Sequence, residues 1–430
     1  MLVWLTTVCR TWSASGVGRL SGGIQGTLLL LLMASATASP LPPLQPLLDA
    51  AAPRAILKLA PGCYAGPAVI RKPLTLDGQG QACIDNGGRG TVLTVQAADV
   101  SVRGLRLTGS GESFDTMDAG ILVDTADRVR IENNRIDTVL FGIHLKAAND
   151  AVVHGNTVRG QAAPLNLRGD AIRIWYGRGN RIEANDIAHL RDITLTNAPA
   201  NQIRNNRIRH GRYAVHLVFS PDNIVAANDI AHTSTGIVVL YSDRVRVEDN
   251  RIHHVRAEAG AALAFKETSD TQVQRNEVLH CAVGLQANSP LHGHDTLLIK
   301  GNRFAHNDTA LYFYGDKGGH VLRHNRFEKN LSTLAVSHAN ATRGHLWEDN
   351  AWDDYEGFDR NGDGIGDTPH ELWLYADRIW METPKARFFR NTPALELLDF
   401  LERLAPFSAP ERLLQDPRPR LLTSPSGKHP

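Results

Sequence analysis

From Asn134 onward one phrase recurs along the chain: an apolar residue, two variable positions, asparagine, any residue, and a second apolar residue. Its asparagines are Asn134, Asn156, Asn185, Asn206, Asn228, Asn250, Asn276, Asn302, Asn325 and Asn350. The nine intervals span 216 residues, a mean of 24. Both apolar positions hold at all ten sites, from Ile131 and Ile136 at the start to Trp347 and Trp352 at the end. Between the asparagines falls a second phrase, small-apolar-variable-apolar, as in Gly142-Ile143-His144-Leu145 and Ala214-Val215-His216-Leu217. Alternation of period two marks short strands with one face turned inward. Two or three such strands per period, separated by polar turns, predict an all-β parallel β-helix solenoid, because one coil alone cannot bury its apolar face. A propeller blade needs about forty residues, and a leucine-rich repeat needs a leucine phrase that is missing here.

The ends of the chain break this pattern. Gly26 to Ser39 is a short apolar core followed by small residues, with Ala36-Thr37-Ala38 as an A-x-A site and Arg10 and Arg19 ahead of it. Residues 1–38 therefore read as a signal peptide cleaved near Ala38, with Val17 as an alternative start. Residues 39–57 are expected to cap the solenoid, 58–352 to form it, 353–370 to hold a calcium-type loop, and 371–430 to form a C-terminal helical cap and tail. The rear helix is predicted to start at Asn391-Thr392-Pro393, with Leu395, Leu398, Leu401 and Leu404 along one side. No later run approaches the ~18 apolar residues of a membrane span, so none is expected in the mature chain.

Composition narrows the function. With 46 basic and 45 acidic residues, the net charge of +1 argues against nucleic acid and against a polyanionic sugar chain held by bulk charge. Cys9 leaves with the signal. Cys63 and Cys83 are then free to pair in an oxidising compartment, and Cys281 reads as a buried thiol. The asparagines themselves fit a stacked amide ladder that uses left-handed turn geometry.

Histidine is over-represented, at 18 against 8 tyrosines. Six coils in a row carry it four residues after the repeat asparagine, at His189, His210, His232, His254, His280 and His306. Stacked at a rung spacing of about 4.8 Å, these form either a structural column or a set of copper ligands. His144 and His216 alternate with inward apolar residues and are expected to face solvent beside Arg173, roughly 14 Å apart and so unable to chelate one ion together. Met117 completes the copper candidates. Trp175 and Tyr176 with Arg173 are a candidate docking surface. Asp359, Asn361, Asp363, Ile365 and Asp367 stand at positions 1, 3, 5, 7 and 9 of a calcium-loop pattern, with Gly364 at 6 and His370 in place of the usual Glu at 12.

Several longer stretches are more specific than the repeat. They are Pro73-Leu-Thr-Leu-Asp-Gly78, Met117-Asp-Ala-Gly-Ile121, Arg168-Gly-Asp-Ala-Ile172 through Trp175, Arg212-Tyr-Ala-Val-His216, Tyr355 through Asp367, and Glu402-Arg-Leu-Ala-Pro-Phe407. From about Ile56 to Arg420 the chain resembles the NosD family, the periplasmic maturation proteins of nitrous oxide reductase. That resemblance implies a right-handed β-helix with no enzymatic activity. It also implies a role beside the ATPase and permease of an ABC transporter, a copper chaperone lipoprotein and the apo-reductase, with copper as transient cargo. Calcium in the 353–370 loop would be structural. Members of the family often carry methionine just after the phrase ending at His216, where this chain has Leu217-Val218-Phe219. Copper handling here would therefore lean on histidine or on sites completed by partners. The competing readings are a β-helix polysaccharide lyase, hydrolase or epimerase, which needs paired carboxylates on one sheet face, and a calcium-stabilised adhesion module.

Overall fold

The computed structural model describes residues 41–288, 296–315, 317–374, 392–404 and 411–422. The expected leader at 1–38 lies outside these residues, as does part of the expected C-terminal cap. Most of the described residues form a right-handed parallel β-helix of about thirteen turns. Each regular coil contributes three strands, and each strand pairs in parallel with its counterpart one coil away. In the coil holding the first repeat asparagine these are Arg130–Glu132, Arg135–Val139 and Phe141–Lys146. We call the three resulting stacks the first, second and third ladders. No helix among the described residues is long and apolar enough to cross a membrane.

The apolar phrase becomes the core. Ile131, Val153, Ile182 and Ile203 follow one another inside the first ladder, and Ile136, Val158, Ile187 and Ile208 inside the second, all 2% exposed or less. In the third ladder the pairs Ile143/Leu145, Ile172/Ile174 and Ile193/Leu195 point inward with no exposure. The two last core tryptophans differ: Trp352 stacks on Phe327 at 4.5 Å and bonds through its indole N–H, whereas Trp347 closes the first ladder.

Every repeat asparagine is buried in the turn between the first two ladders. From Asn156 onward its side-chain oxygen accepts both the backbone N–H and the side-chain amide of the asparagine one coil earlier, as Asn156 does from Asn134 at 3.0 and 3.1 Å, while Asn134 accepts from the Leu105 backbone N–H. Its own amide also donates to a backbone carbonyl of the preceding coil, Asn156 to Ile131 at 2.8 Å. The left-handed residue of this turn is the one before each asparagine, such as Asn133, Ala184, Asn205 and Asp249. The repeat asparagine was expected to fill that place itself. It is selected instead for its amide, which completes hydrogen bonds that the buried turn would otherwise leave unmade.

The front is closed by a short helix, α1 (Gln45–Ala50), whose Leu48 is buried together with the preceding Leu44. Cys63 and Cys83 pair in register and are disulfide-bonded, and Cys281 is a buried free thiol. At the rear, α2 (Pro393–Leu404) is present, but Leu397, Leu401 and Leu404 are exposed and Leu398 is only half-buried. The buried closure comes from strand Glu411–Asp416, which pairs antiparallel with His370–Leu374 and buries Leu413 and Leu414. The tail is tied to the last coil by the Asp416 side chain, which accepts from Asn350, and by a backbone bond from Arg420 to Asn350 at 2.8 Å.

Candidate functional site

The third ladder turns a row of polar side chains away from the core. Its register sets His144 beside Arg173, Arg173 beside Thr194 and Thr194 beside His216. Three coil steps therefore separate the two histidines, as expected from the sequence. Their exposure is not as expected. His144 is only 5% exposed and Thr194 7%, and His216 is half-buried. Coils stacked at about 4.8 Å leave little room between side chains. Tyr213 packs edge-on against His216 with ring centroids 5.1 Å apart, and the Arg212 guanidinium lies 4.3 Å from the Tyr213 ring.

Beside this row lies a network that the sequence reading passed over. Asp170 and Asp192 have no side-chain exposure. Arg173 donates to Asp170 at 3.0 Å and Arg191 at 3.1 Å. Asp192 accepts from the Arg212 guanidinium and from the Tyr213 backbone N–H at 2.8 Å. The signal was an acid set directly before an inward apolar phrase, in Gly169-Asp170-Ala171-Ile172 and Arg191-Asp192-Ile193. Burial pushes the Asp192 carboxyl up against the pull of Arg212.

Burial, with Arg173 and Lys146 adding to it, pushes His144 down to about 4. Burial and the nearby Arg212 do the same to His216, also to about 4. Both rings are thus neutral near pH 7, the form in which imidazole binds a metal. Among the described residues His144 Nε2, Arg173 Nε and Thr194 Oγ1 are buried without hydrogen-bond partners. The row contains polar groups in three consecutive coils whose bonding capacity the fold leaves unused. At roughly 14 Å the two histidines each offer one ligand, and a second ligand for the same ion must come from elsewhere.

The six-histidine column forms at the turn that follows the second ladder. Its neighbouring rings lie 5.0 to 5.4 Å apart, from His189 on His210 to His280 on His306. All six are exposed, and all six take left-handed backbone with φ between 54° and 60°. Histidine is enriched at such positions over most residues with a side chain. Three of the five ring pairs lie within 13° of parallel and the two around His254 are tilted by 31° and 34°, so the nitrogen lone pairs point mainly sideways. Two nitrogens about 4 Å apart are needed for linear copper coordination, and this stacking does not offer that. Burial and the like charge of neighbouring histidines lower His210 and His254. His253 flanks the column, 2.9 Å from His254 and 3.3 Å from Asp229. No group of three or more His, Cys, Asp or Glu among the described residues is placed to hold a metal ion.

The other candidates are scattered. Met117, at φ 52°, packs against the small buried cluster of Ala119, Leu140 and Phe141. Trp175 and Tyr176 are exposed and meet edge to face at 5.0 Å, with Trp175 in strand Ile172–Trp175 alongside Arg173. In the loop, Asp359 accepts from the backbone N–H groups of Gly362 and Gly364 at 2.6 and 2.8 Å, and Asp363 from that of Ile365 at 2.8 Å. Asp367 accepts from Arg360 N at 2.7 Å. Asn361 bonds Asp363 at 3.0 Å. The oxygen-only donor set suits a hard cation. His370 stays out of the loop, stacked 4.7 Å from Trp352. Backbone bonds from Gly366 to Pro419 and from Leu421 to Gly364 tie the loop to the tail.

Comparison with known proteins bears on these places. A family described as "Periplasmic copper-binding protein (NosD)" matches residues 158–357, which include His216 and the whole histidine column. A "Probable ABC transporter binding protein NosD" of Pseudomonas aeruginosa is 28% identical over 419 residues, covering 90% of this chain and 93% of that one. A protein of the same description from Stutzerimonas stutzeri is 28% identical over 365 residues, covering 81% and 83%. Among solved structures, a family 28 exopolygalacturonase of Yersinia enterocolitica matches with TM-score 0.51 at 10% identity, covering 68% of this chain and 73% of that one. The catalytic domain of a GH87 alpha-1,3-glucanase matches with TM-score 0.56 at 11% identity, covering 70% and 65%. At such identity the two enzymes share the fold with this chain and nothing more.

Proposed function

We propose, from its similarity over nine-tenths of its length to a protein described as NosD, that the chain is a non-enzymatic periplasmic accessory protein. Its task is to help assemble the copper–sulfide centre of nitrous oxide reductase. It acts with the ATPase and permease of an ABC transporter and receives copper from a chaperone lipoprotein. Residues 1–38 direct it to the periplasm. Copper is cargo, held transiently by His144 and His216, each completed by ligands from a partner, with Trp175 and Tyr176 as part of the docking face.

The observation that carries this reading is the covered row of the third ladder, where His144 is buried with its Nε2 unbonded and burial pushes His144 and His216 down to about 4, so that both rings are neutral near pH 7. A glycan-cleaving alternative has less support. Asp170 and Asp192 are the buried carboxylates nearest the row, and both are enclosed by guanidinium groups, out of reach of a polymer. A strain lacking this chain should produce reductase without its catalytic copper centre, measured by metal content and visible absorbance. Fully loaded reductase in that strain would sink the proposal. We also propose that the loop of Asp359, Asn361, Asp363, Ile365 and Asp367 takes up calcium and steadies the tail. Adding calcium to chelator-treated protein should then raise the melting temperature by several degrees, and no shift at millimolar calcium counts against the site.

A further inference from the structure

The histidine beside the column behaves differently from those within it. His253 is the last residue of strand Arg251–His253 in the second ladder and stands outside the repeat, in register with Ala231 one coil before and Leu279 one coil after. Its side chain keeps 18% of its surface open, and the adjoining His254 is exposed. His253 Nδ1 lies 2.9 Å from His254 Nδ1, and the two rings are nearly perpendicular, at 82°. The two tilted ring pairs of the column are those on either side of His254, at 34° and 31°. The stacking loosens at the one rung where a second histidine faces the column.

The surroundings prepare these nitrogens for a metal. The Asp229 carboxylate lies 3.3 Å from His253 Nε2 and can only accept, which assigns the ring hydrogen of His253 to Nε2 and leaves a lone pair on Nδ1. Asp229 is itself held by the Arg209 guanidinium at 2.6 Å. A carboxylate behind a histidine is the arrangement that orients a metal ligand from its far side. Burial pushes His253 below its usual range even beside Asp229, and burial with His253 and His232 nearby does the same to His254. Both rings are therefore neutral near pH 7, the form that binds a metal. The neighbouring cations are engaged elsewhere, Arg209 on Asp229 and Arg251 on Glu277 at 3.3 Å.

The spacing selects the ion. With metal–nitrogen bonds of about 2.0–2.1 Å, two nitrogens 2.9 Å apart subtend about 90° at the ion. That is the angle between neighbouring corners of a square-planar or tetragonal site, the geometry of Cu²⁺ and Ni²⁺. Tetrahedral zinc and linear Cu⁺ need wider angles.

We propose that His253 Nδ1 and His254 Nδ1 chelate one divalent ion of the Cu²⁺ or Ni²⁺ type at the surface of the solenoid. Water fills the remaining positions, and Asp229 orients His253 from behind without touching the ion. The hydrogen shared by the two Nδ1 atoms moves to the exposed His254 Nε2 as the ion enters, so no net proton is released. The site stands apart from His144 and His216 and does not depend on delivery of copper to a reductase.

The test uses the purified full chain without a polyhistidine tag, carrying His144→Gln and His216→Gln so that neither of those rings contributes. Calorimetric titration with Cu²⁺ and with Ni²⁺ should show a tightest site of one ion per chain, and Mg²⁺ should show none. His253→Gln should weaken that site about tenfold or more, and Asp229→Ala about tenfold. His254→Asn, which suits the left-handed backbone at that position, should match His253→Gln. His306→Asn, two coils further along the column, should leave the site unchanged. With Cu²⁺ bound, the electron paramagnetic resonance spectrum should show coupling to two ring nitrogens, falling to one in His253→Gln. The proposal is overturned by the absence of a one-ion site, or by an affinity that His253→Gln and His254→Asn both leave unchanged. Equal weakening in His306→Asn overturns it too, by assigning the ion to the stacked column.

Discussion

Two sets of histidines on one solenoid have been given opposite surroundings. The six from His189 to His306 are exposed, stacked at 5.0 to 5.4 Å and set on left-handed turn backbone. His144 and His216 are three coils apart, largely covered, flanked by arginines and held near 4. The column satisfies the conformation of a turn. The pair satisfies no structural need that is visible in its bonding, because His144 Nε2 is left bare. Repetition of a residue along a solenoid thus points to geometry, and an isolated, shielded copy points to chemistry.

The sharpest break between the two sets should appear in copper delivery. His144→Gln with His216→Gln should cut the copper content of reductase matured in the same cell about tenfold or more. His210→Asn with His232→Asn should leave it near the wild-type level. The reverse ranking would assign the cargo to the column. The second effect is on acid stability. A histidine held near 4 when folded, against about 6.5 when unfolded, keeps the folded chain unprotonated while the unfolded chain takes up a proton. Stability is complete above pH ~6.5 and falls as the pH drops toward 4. His144→Gln should remove part of that loss, on the order of 2 kcal/mol at pH 4.5 relative to pH 7.5, read from urea unfolding at both values. A slope equal to the parent's would show that His144 does not titrate as described. The smallest effect separates ring from backbone in the column. His232→Val should cost about 1–2 kcal/mol because a β-branched residue resists left-handed geometry, while His232→Asn should stay within about 0.5 kcal/mol. Equal losses would mean that ring stacking, and not turn conformation, selects histidine there.

The fold was readable because it is periodic. Each apolar position around Asn134 through Asn350 repeats the same local demand, and strand, turn and core all obey it. The column was readable for the same reason, and so was the three-coil separation of His144 from His216. What the pattern hid depends on contacts between different coils. Asp170 and Asp192 look like ordinary turn acids until Arg173, Arg191 and Arg212 converge on them from neighbouring strands. Sequence alternation correctly turned His144 outward, but no periodic rule says that its neighbours will cover it. The rear strand is hard to read because Leu395 and Leu398 form an obvious helical stripe that draws attention first. Strand Glu411–Asp416 carries only Leu413 and Leu414 as its apolar mark.

The amide ladder, for its part, has a direction. Every asparagine passes its hydrogens to the oxygen of the next, from Asn134 on to Asn350, so the file ends with donors still in hand. Another asparagine there would only hand the problem on. Asp416 takes both the backbone and the side-chain hydrogen of Asn350 on one oxygen, at 3.0 and 2.9 Å, and being a carboxylate it has none of its own to forward. It works as a full stop in a sentence written in amides. The number of coils is therefore not fixed by any coil, since each accepts a successor of its own kind. It is fixed by a residue 66 positions downstream of the last rung, and a repeat could be added or lost ahead of it without changing how the file ends.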